Sequence, residues 1–327
     1  MTQGKVRVGV DLGGTKVAIG AVTGGGVLVA QETFSTDAKS GFDGIVARIA
    51  ERVRALCQEI GGSEQSVDFV GVAAAGQIEQ ETGVVRFAPN LGWTDAPLGP
   101  RLSELLGIRV VVDNDVRAAT VGEYLFGLPA PTRSFYNVYV GTGVGSGFIA
   151  DGRLLRGHSN SACEIGHHSI RYDGPRCTCG NYGCLELYAS GTGLARRARE
   201  AVQANKNTRL WTLAGGDLER IDSHIVSQAA KENDALALSL IRETGQILGI
   251  ALSNIVNLFN PEVLMIGGGL IGLGDEFVME AHKSFRDTGL KWAVEHTRFE
   301  VSRLGVKASI IGASFLGMLD PLGRIVV

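Results

Sequence analysis

The chain has 327 residues, of which 45% are hydrophobic and 20% charged, and its net charge is −3. That length favours two domains over one, the composition is that of a globular protein with a substantial core, and the slightly acidic balance supplies no basic field for nucleic acid or an anionic membrane. The sequence reading finds no run of the roughly 18 apolar residues that a membrane span needs. The N-terminus, MTQGKVRVGVDLGG, has no basic start, apolar middle or cleavage site of a leader, so a cytoplasmic location is expected, where thiols stay reduced.

The first predicted elements are strands. Val6, Val8 and Val10 alternate ahead of DLGGT, and Val17, Ile19 and Val22 follow it, so the glycine loop joins two strands. Ile45, Ile49, Val53, Leu56 and Ile60 then recur at helical spacing. Val110 to Val112 form a short apolar strand that runs into Asp113, Asn114 and Asp115, with helical spacing from Ala118. Residues 137–152, NVYVGTGVGSGFIADG, repeat the first plan: strand, glycine loop, strand. One long helical pattern covers residues 228–258, with Leu240, Ile247, Leu248, Ala251 and Ile255 inward, and stops at Asn260–Pro261. EVLMIGGGL reads as a buried strand entering a glycine turn, where a flat ring could lie close to the backbone. Strands alternating with helices predict an α/β protein.

Two glycine hairpins about 130 residues apart carry the first chemical signal. A dinucleotide fingerprint needs G-x-G-x-x-G between a strand and a helix, whereas Gly141, Gly143, Gly145 and Gly147 are spaced by two and lead into a strand. No Gly-Lys-Ser/Thr follows, so the P-loop pattern is absent too. Glycine hairpins still bind phosphate through backbone N–H groups, and a neighbouring Thr hydroxyl adds a donor. Two such hairpins suggest two similar lobes facing one phosphate chain; tight structural turns are the alternative. Asp11 ends the first strand, where a buried carboxylate needs a partner such as Mg²⁺ beside phosphates. Among the acids at 113–115, one can cap the helix, Asp113 can serve so or be solvated, and Asp115 can be a general base for phosphoryl transfer to an alcohol.

The stretch EIGHHSIRYDGPRCTCGNYGCLE concentrates three of the five cysteines within eight residues, after a His pair. A metal site, a disulfide or incidental thiols all fit that density, and a reducing compartment lowers the disulfide reading. His168 reads as a surface neighbour, and Cys57 and Cys163 as small buried hydrophobes.

In order along the chain, GVDLGGTK, APNLGW, DNDVRAATVGE, VYVGTGVGSGF, CEIGH, CTCGNYGCLE, NPEVLMIGGG and IIGASFLG resemble the ROK family of bacterial sugar kinases and sugar-responsive repressors, from residue 6 to about residue 317. The resemblance implies an actin-like, hexokinase-like (ribonuclease H-like) two-lobed ATPase fold. Residues 1–115 would form the smaller lobe, completed by residues 312–327, and residues 116–311 the larger one. It implies that Asp11, Gly13, Gly14 and Thr15 form the first phosphate loop, with Asp11 near the Mg²⁺ of ATP, and that Gly141, Thr142 and Gly143 form the second. Gly267, Gly268, Gly312 and Ala313 would lie along the adenosine. Gly76, Asn90, Asn114, Asp115, Glu164, His167 and Glu186 match sugar-binding positions, with Asp115 as the base. His167, Cys177, Cys179 and Cys184 would hold one structural Zn²⁺, a Cys₃His set that is closed and tetrahedral. The metal loop is expected to organise the sugar pocket without touching the phosphate side.

Two residues depart from the family pattern. Arg117 stands where Asn is common, and would narrow the site or pair with a neighbouring acid; Cys163 stands where Gly is common. The implied activity is ATP-dependent phosphorylation of a hexose at its primary hydroxyl, glucose first, with N-acetylmannosamine, N-acetylglucosamine or fructose as alternatives. A homodimer or homotetramer is expected. A sugar-sensing regulator is the other class. Against it stand the two complete glycine loops and the roughly five residues ahead of the first strand, where family repressors carry a winged helix.

Overall fold

The computed structural model describes residues 6–62 and 67–326, so the leader reading on the first five residues lies outside it. The chain divides into two units: residues 1–133, 147–163 and 303–327 form the first, and residues 134–146 and 164–302 the second. The sequence reading changes lobe at residue 115. The chain instead stays in the first unit beyond that point, because helix Asp115–Gly122 packs on the C-terminal helix Ala308–Ala313.

In the first unit, a five-stranded sheet has the order Leu28–Ser35, Lys16–Val22, Arg7–Leu12, Val70–Ala74, Val110–Asn114. The first three strands form an antiparallel meander, and the last two run parallel to Arg7–Leu12. The register aligns Asp11 with Ala73 and Ala73 with Asp113, so the acids gather at the carboxyl ends of the parallel strands. In open α/β sheets that edge is where ligands bind. Helix Gly41–Glu59 covers one face of the sheet with Ile45, Val46, Ile49, Val53, Leu56 and Cys57, which is fully buried as a small hydrophobe.

Helix Ala308–Ala313 lies so close to its neighbours that side chains are excluded at the contacts. A Cβ on Gly9 would overlap the Ile310 carbonyl, one on Gly71 the Ala313 carbonyl, and one on Gly312 the Ala118 carbonyl. Gly312 and Ala313 therefore lie in the interior of this unit, with Ala313 fully buried, and present no surface to an adenosine. The family-based placement of these two residues is corrected accordingly: the glycine serves backbone approach.

In the second unit, Ser134–Val140, Val263–Gly267 and Arg298–Val301 are parallel neighbours. The single pattern read over 228–258 is two helices, Ser223–Lys231 and Ala235–Phe259. Asn233 turns left-handed between them, and the Asp234 carboxylate accepts the Ala237 N–H at 2.9 Å, capping the second. That helix ends at left-handed Asn260 before Pro261, as the stop signal predicts. By length and mean composition Ala235–Phe259 is long and apolar enough to cross a membrane, although Arg242 and Glu243 interrupt its apolar run; in the fold, half of its most apolar window is buried. It packs on Asp275–Thr288 through Gly245 and Gly249, whose Cα atoms admit the Phe277 and Ala281 carbonyls.

Gly312→Ala should lower the unfolding free energy by about 1–3 kcal/mol, the usual cost of overpacking a filled core. Denaturant unfolding would measure it. Unchanged stability with weakened nucleotide binding would restore the adenosine placement.

Candidate functional site

In the first unit the hairpin around DLGGT is tied from behind. Thr36 is almost fully buried, and its hydroxyl donates to the Gly13 carbonyl at 2.7 Å while its N–H donates to the Thr15 carbonyl at 3.0 Å. Gly14 lies directly against Asn90, which sits exposed in the turn Pro89–Leu91; a Cβ on Gly14 would approach the Asn90 carbonyl to 2.9 Å. Gly76 has φ +124° and its Cα faces the Phe87 carbonyl, so a side chain is excluded there twice over.

The three polar residues at 113–115 divide their tasks. The Asp113 carboxylate is fully buried, which rules out the solvated or capping role. Its Oδ1 accepts from the Asn114 N–H (2.8 Å), Arg117 Nε (3.2 Å) and Asn160 Nδ2 (3.2 Å). Its Oδ2 accepts from Arg156 Nε and Nη2, both at 3.2 Å. Arg117, 1% exposed, also donates to the Asn160 carbonyl at 2.5 Å. Of the two options for Arg117, pairing with a neighbouring acid is the one observed. Asn114 is the helix cap: its Oδ1 accepts from the Val116 and Arg117 N–H groups, and its Nδ2 donates to the Gly76 carbonyl at 3.2 Å. With that cap the helix starts at Asp115, three residues before the spacing signal.

Asp115 thus begins a helix at the end of a strand. Burial raises its pKa, against the Val116 and Asp115 N–H groups, Arg117 and Asn114, which lower it. Burial also pushes Asp11 up to about 7, helped by the charge of Asp115 and opposed by Lys16. Two raised acids that repel each other make a site for a proton or a cation.

In the second unit, the hairpin around Gly141, Thr142 and Gly143 is held by its carbonyls. The Gly191 N–H donates to the Gly141 carbonyl (2.8 Å), and the Thr192 hydroxyl to the Thr142 carbonyl (2.9 Å). Gly267 is buried against Tyr139 and Ser302, so at the GGG turn only Gly268 and Gly269 offer surface for a ring.

The Cys/His stretch closes into a knot in this unit. One ligand atom each from His167, Cys177, Cys179 and Cys184 lies within 4.8 Å of all the others. Cys179 Sγ and Cys184 Sγ are 3.7 Å apart, and Cys177 Sγ is 3.9 Å from His167 Nδ1. A tetrahedral zinc–thiolate site with bonds of about 2.3 Å has edges of about 3.8 Å. The donor set fits that metal, and all five cysteines are free. Burial, the neighbouring thiols and their charge push the Cys184 thiol up to about 12. The Cys179 thiol is also penalised by burial, but hydrogen bonds from the Asn181 N–H and from Cys177 and Cys184 outweigh this and lower it. With Nδ1 turned to the thiols, His167 keeps Nε2 for another partner. His168 is exposed, as expected of a surface neighbour.

Glu164 is exposed and precedes the turn Ile165–His167. Cys163 has φ +65°, the left-handed region in which glycine is at ease and other residues incur about 1–2 kcal/mol. Glu186 departs from expectation. Its Oε2 accepts the Val144 N–H at 3.1 Å, so the stretch that was to leave the phosphate side untouched grips the second hairpin. Thr36, Arg156, Asn160 and Thr192 escaped the sequence reading; each lies in a segment with no motif.

The ROK family pattern matches residues 7–318. A glucokinase of Halalkalibacterium halodurans is 35% identical over 316 residues, covering 94% of this chain and 94% of its own. A xylose repressor of Caldicellulosiruptor bescii is 31% identical over 253 residues, 77% of this chain and 63% of the repressor. Among solved structures, a ROK family glucokinase from Streptomyces griseus in complex with glucose and AMPPNP has a TM-score of 0.80 at 34% identity, covering 94% of this chain and 98% of its own.

Asp113→Asn should cost about 3–5 kcal/mol of stability, because it leaves the buried Arg117 and the partly buried Arg156 without their carboxylate. Loss of less than 1 kcal/mol in urea titrations would contradict the buried pairing. A second expectation concerns pH. The folded state holds the Asp11 proton up to about 7, the unfolded chain only to 3.8. Stability of the nucleotide-free protein therefore falls as pH rises between those values. Asp11→Asn should raise the melting temperature at pH 8 and change it much less at pH 4; equal shifts at both would contradict the raised pKa.

Proposed function

This chain belongs to the ROK family and is a sugar kinase, and we propose that it transfers the γ-phosphoryl group of ATP to the primary hydroxyl of glucose. The observation that carries this reading is the pair of acids Asp11 and Asp115 in one unit, both raised by burial, at the carboxyl edge of the sheet. Glucose follows from the glucokinases to which the chain is similar.

In this reading Asp115 is the general base. Its raised pKa brings it closer to the operating pH, where a base is most effective. It takes the proton as the hydroxyl oxygen bonds to the γ-phosphorus and the bond to the bridging oxygen of ADP breaks. Asp113 and Asn114 fix its backbone: one is locked by arginines, the other caps the helix. Asp11 would hold the nucleotide's Mg²⁺, an ion that would supply charge neutralisation for the transferred group. Gly13, Gly14 and Thr15 offer a phosphate loop within the first unit, and Gly141, Thr142 and Gly143 offer one within the second. Asn90, Glu164, His167 and Glu186 bind sugar hydroxyls, and Gly76 and Asn114 shape the sugar side.

The Cys/His knot is a structural zinc site in this proposal. His167, Cys177, Cys179 and Cys184 would supply all four ligands of such a metal, which would then contribute folding free energy and orient His167.

An ADP-release assay over a panel of glucose, fructose, mannose, N-acetylglucosamine and N-acetylmannosamine tests the function. Glucose should give the highest kcat/KM, and Asp115→Ala should reduce kcat by about 10²–10⁴-fold while the fold persists. No ADP release with any hexose would overturn the proposal, and preference for another hexose would move the substrate. For the metal, elemental analysis should find a single zinc per chain, lost in Cys177→Ala and Cys184→Ala together with thermal stability. A zinc-free wild type that turns over at full rate would end that assignment.

A further inference from the structure

The Cys/His knot and the second glycine hairpin meet at one residue. Val144 follows the Gly141–Gly143 turn directly. Its N–H donates to Glu186 Oε2 at 3.1 Å, two residues after the last cysteine of the knot. Its carbonyl lies against Gly166, one residue before the knot's histidine, so closely that a Cβ there would overlap it. Both ends of the Cys/His stretch thus meet the same residue, one at its N–H and the other at its C=O. The space beside Gly143 is filled by the same Glu186 oxygen, so a side chain at 143 would collide with it.

The segment continues the grip a turn later. Gly191 and Thr192 open the helix Gly191–Ala204, and their donors meet the Gly141 and Thr142 carbonyls. A trans peptide places its N–H opposite its C=O. Turning the Gly141 and Thr142 carbonyls onto this helix therefore directs the Thr142 and Gly143 N–H groups away from it. Two adjacent N–H groups aimed outward are what a phosphate oxygen requires. The hairpin's own glycines give it no preference for that arrangement; the buttress imposes it.

We infer that Glu186 and Thr192 are positioning residues for nucleotide binding, and that the Cys/His knot controls nucleotide affinity through them even when no sugar is present. The inference rests on the reading of Gly141–Gly143 as a phosphate loop. Glu186 then has two tasks, one oxygen for the Val144 N–H and the other for a sugar hydroxyl. Thr192 has only the first kind of task, and being exposed it can be changed without threat to the fold.

The test is calorimetric titration of the protein with Mg²⁺ and a non-hydrolysable ATP analogue, without hexose, and a separate titration with glucose. Thr192→Val should weaken nucleotide binding about five- to tenfold, the low end of usual coupling between sites, and leave glucose affinity unchanged. Thr192→Ser, which keeps the hydroxyl, should restore nucleotide binding. Glu186→Gln, which still accepts the Val144 N–H, should retain nucleotide affinity while losing glucose affinity; Glu186→Ala should lose both. Cys179→Ser, at the exposed ligand, should weaken the nucleotide titration in the same direction. Wild-type nucleotide affinity in both Thr192→Val and Glu186→Ala would overturn the inference. A wild-type protein that binds no nucleotide would instead overturn the phosphate-loop reading beneath it.

Discussion

A carboxylate removed from water must find its countercharges within the protein, and at Asp113 that requirement shapes the acidic edge of the first unit. Two guanidiniums, an amide and a backbone N–H converge on two oxygens. The arginines arrive from different stretches, Arg117 from the helix that follows and Arg156 from the return segment at 147–163. Asn160 adds a tie to the Ile78 carbonyl. The strand end, the helix start, the segment that carries Arg156 and Asn160, and through Asn160 the strand Gln77–Glu79 are thus fixed to one point. Asp115, two residues on, inherits that rigidity, which a group that must meet a hydroxyl within hydrogen-bond reach needs. Such clusters add little net stability over apolar packing, because desolvation offsets the attraction. What this one supplies is geometry.

The sequence was legible where a local pattern had a local cause. Alternating valines on both sides of DLGGT could only be strands, and Asn260–Pro261 could only stop a helix. The Cys/His density left three readings open, and it was the family resemblance that singled out His167, Cys177, Cys179 and Cys184, which the fold brings together. Cys163 was noticed as standing in a glycine position, and its left-handed backbone gives the reason. Legibility failed where the cause lay far along the chain. Nothing near Asp113 announces Arg156, 43 residues away. Nothing in GASFLG says that Gly312 meets a carbonyl at Ala118; a glycine serving close approach and a glycine serving a ligand look alike in one dimension. Family likeness assigned it to adenosine, and packing reassigned it.

The Cys/His knot illustrates how one segment can serve two ends. Its turns are held by Asn181, whose amide donates to the His167 carbonyl and to the Ser169 hydroxyl. Gly183 admits the Arg171 carbonyl where a side chain could not fit. A loop this tightly cross-bonded has few ways to relax, so whatever orders its interior also orders its edges. Val144 lies at such an edge, between Gly166 and Glu186.

The helix Ala235–Phe259 has a consequence for the life of the chain before it folds. Its small residues Gly245 and Gly249 are shaped for Asp275–Thr288, which the ribosome makes only afterwards. At synthesis rates of about 5–20 residues per second, the nascent helix waits a few seconds for that cover. During that interval it is a 25-residue segment of mean hydropathy 1.3, long and oily enough to resemble a bilayer span. Arg242 and Glu243 sit within it, both exposed in the finished fold. Their charges are what a membrane-insertion machine would count against it while the partner helix is still unmade.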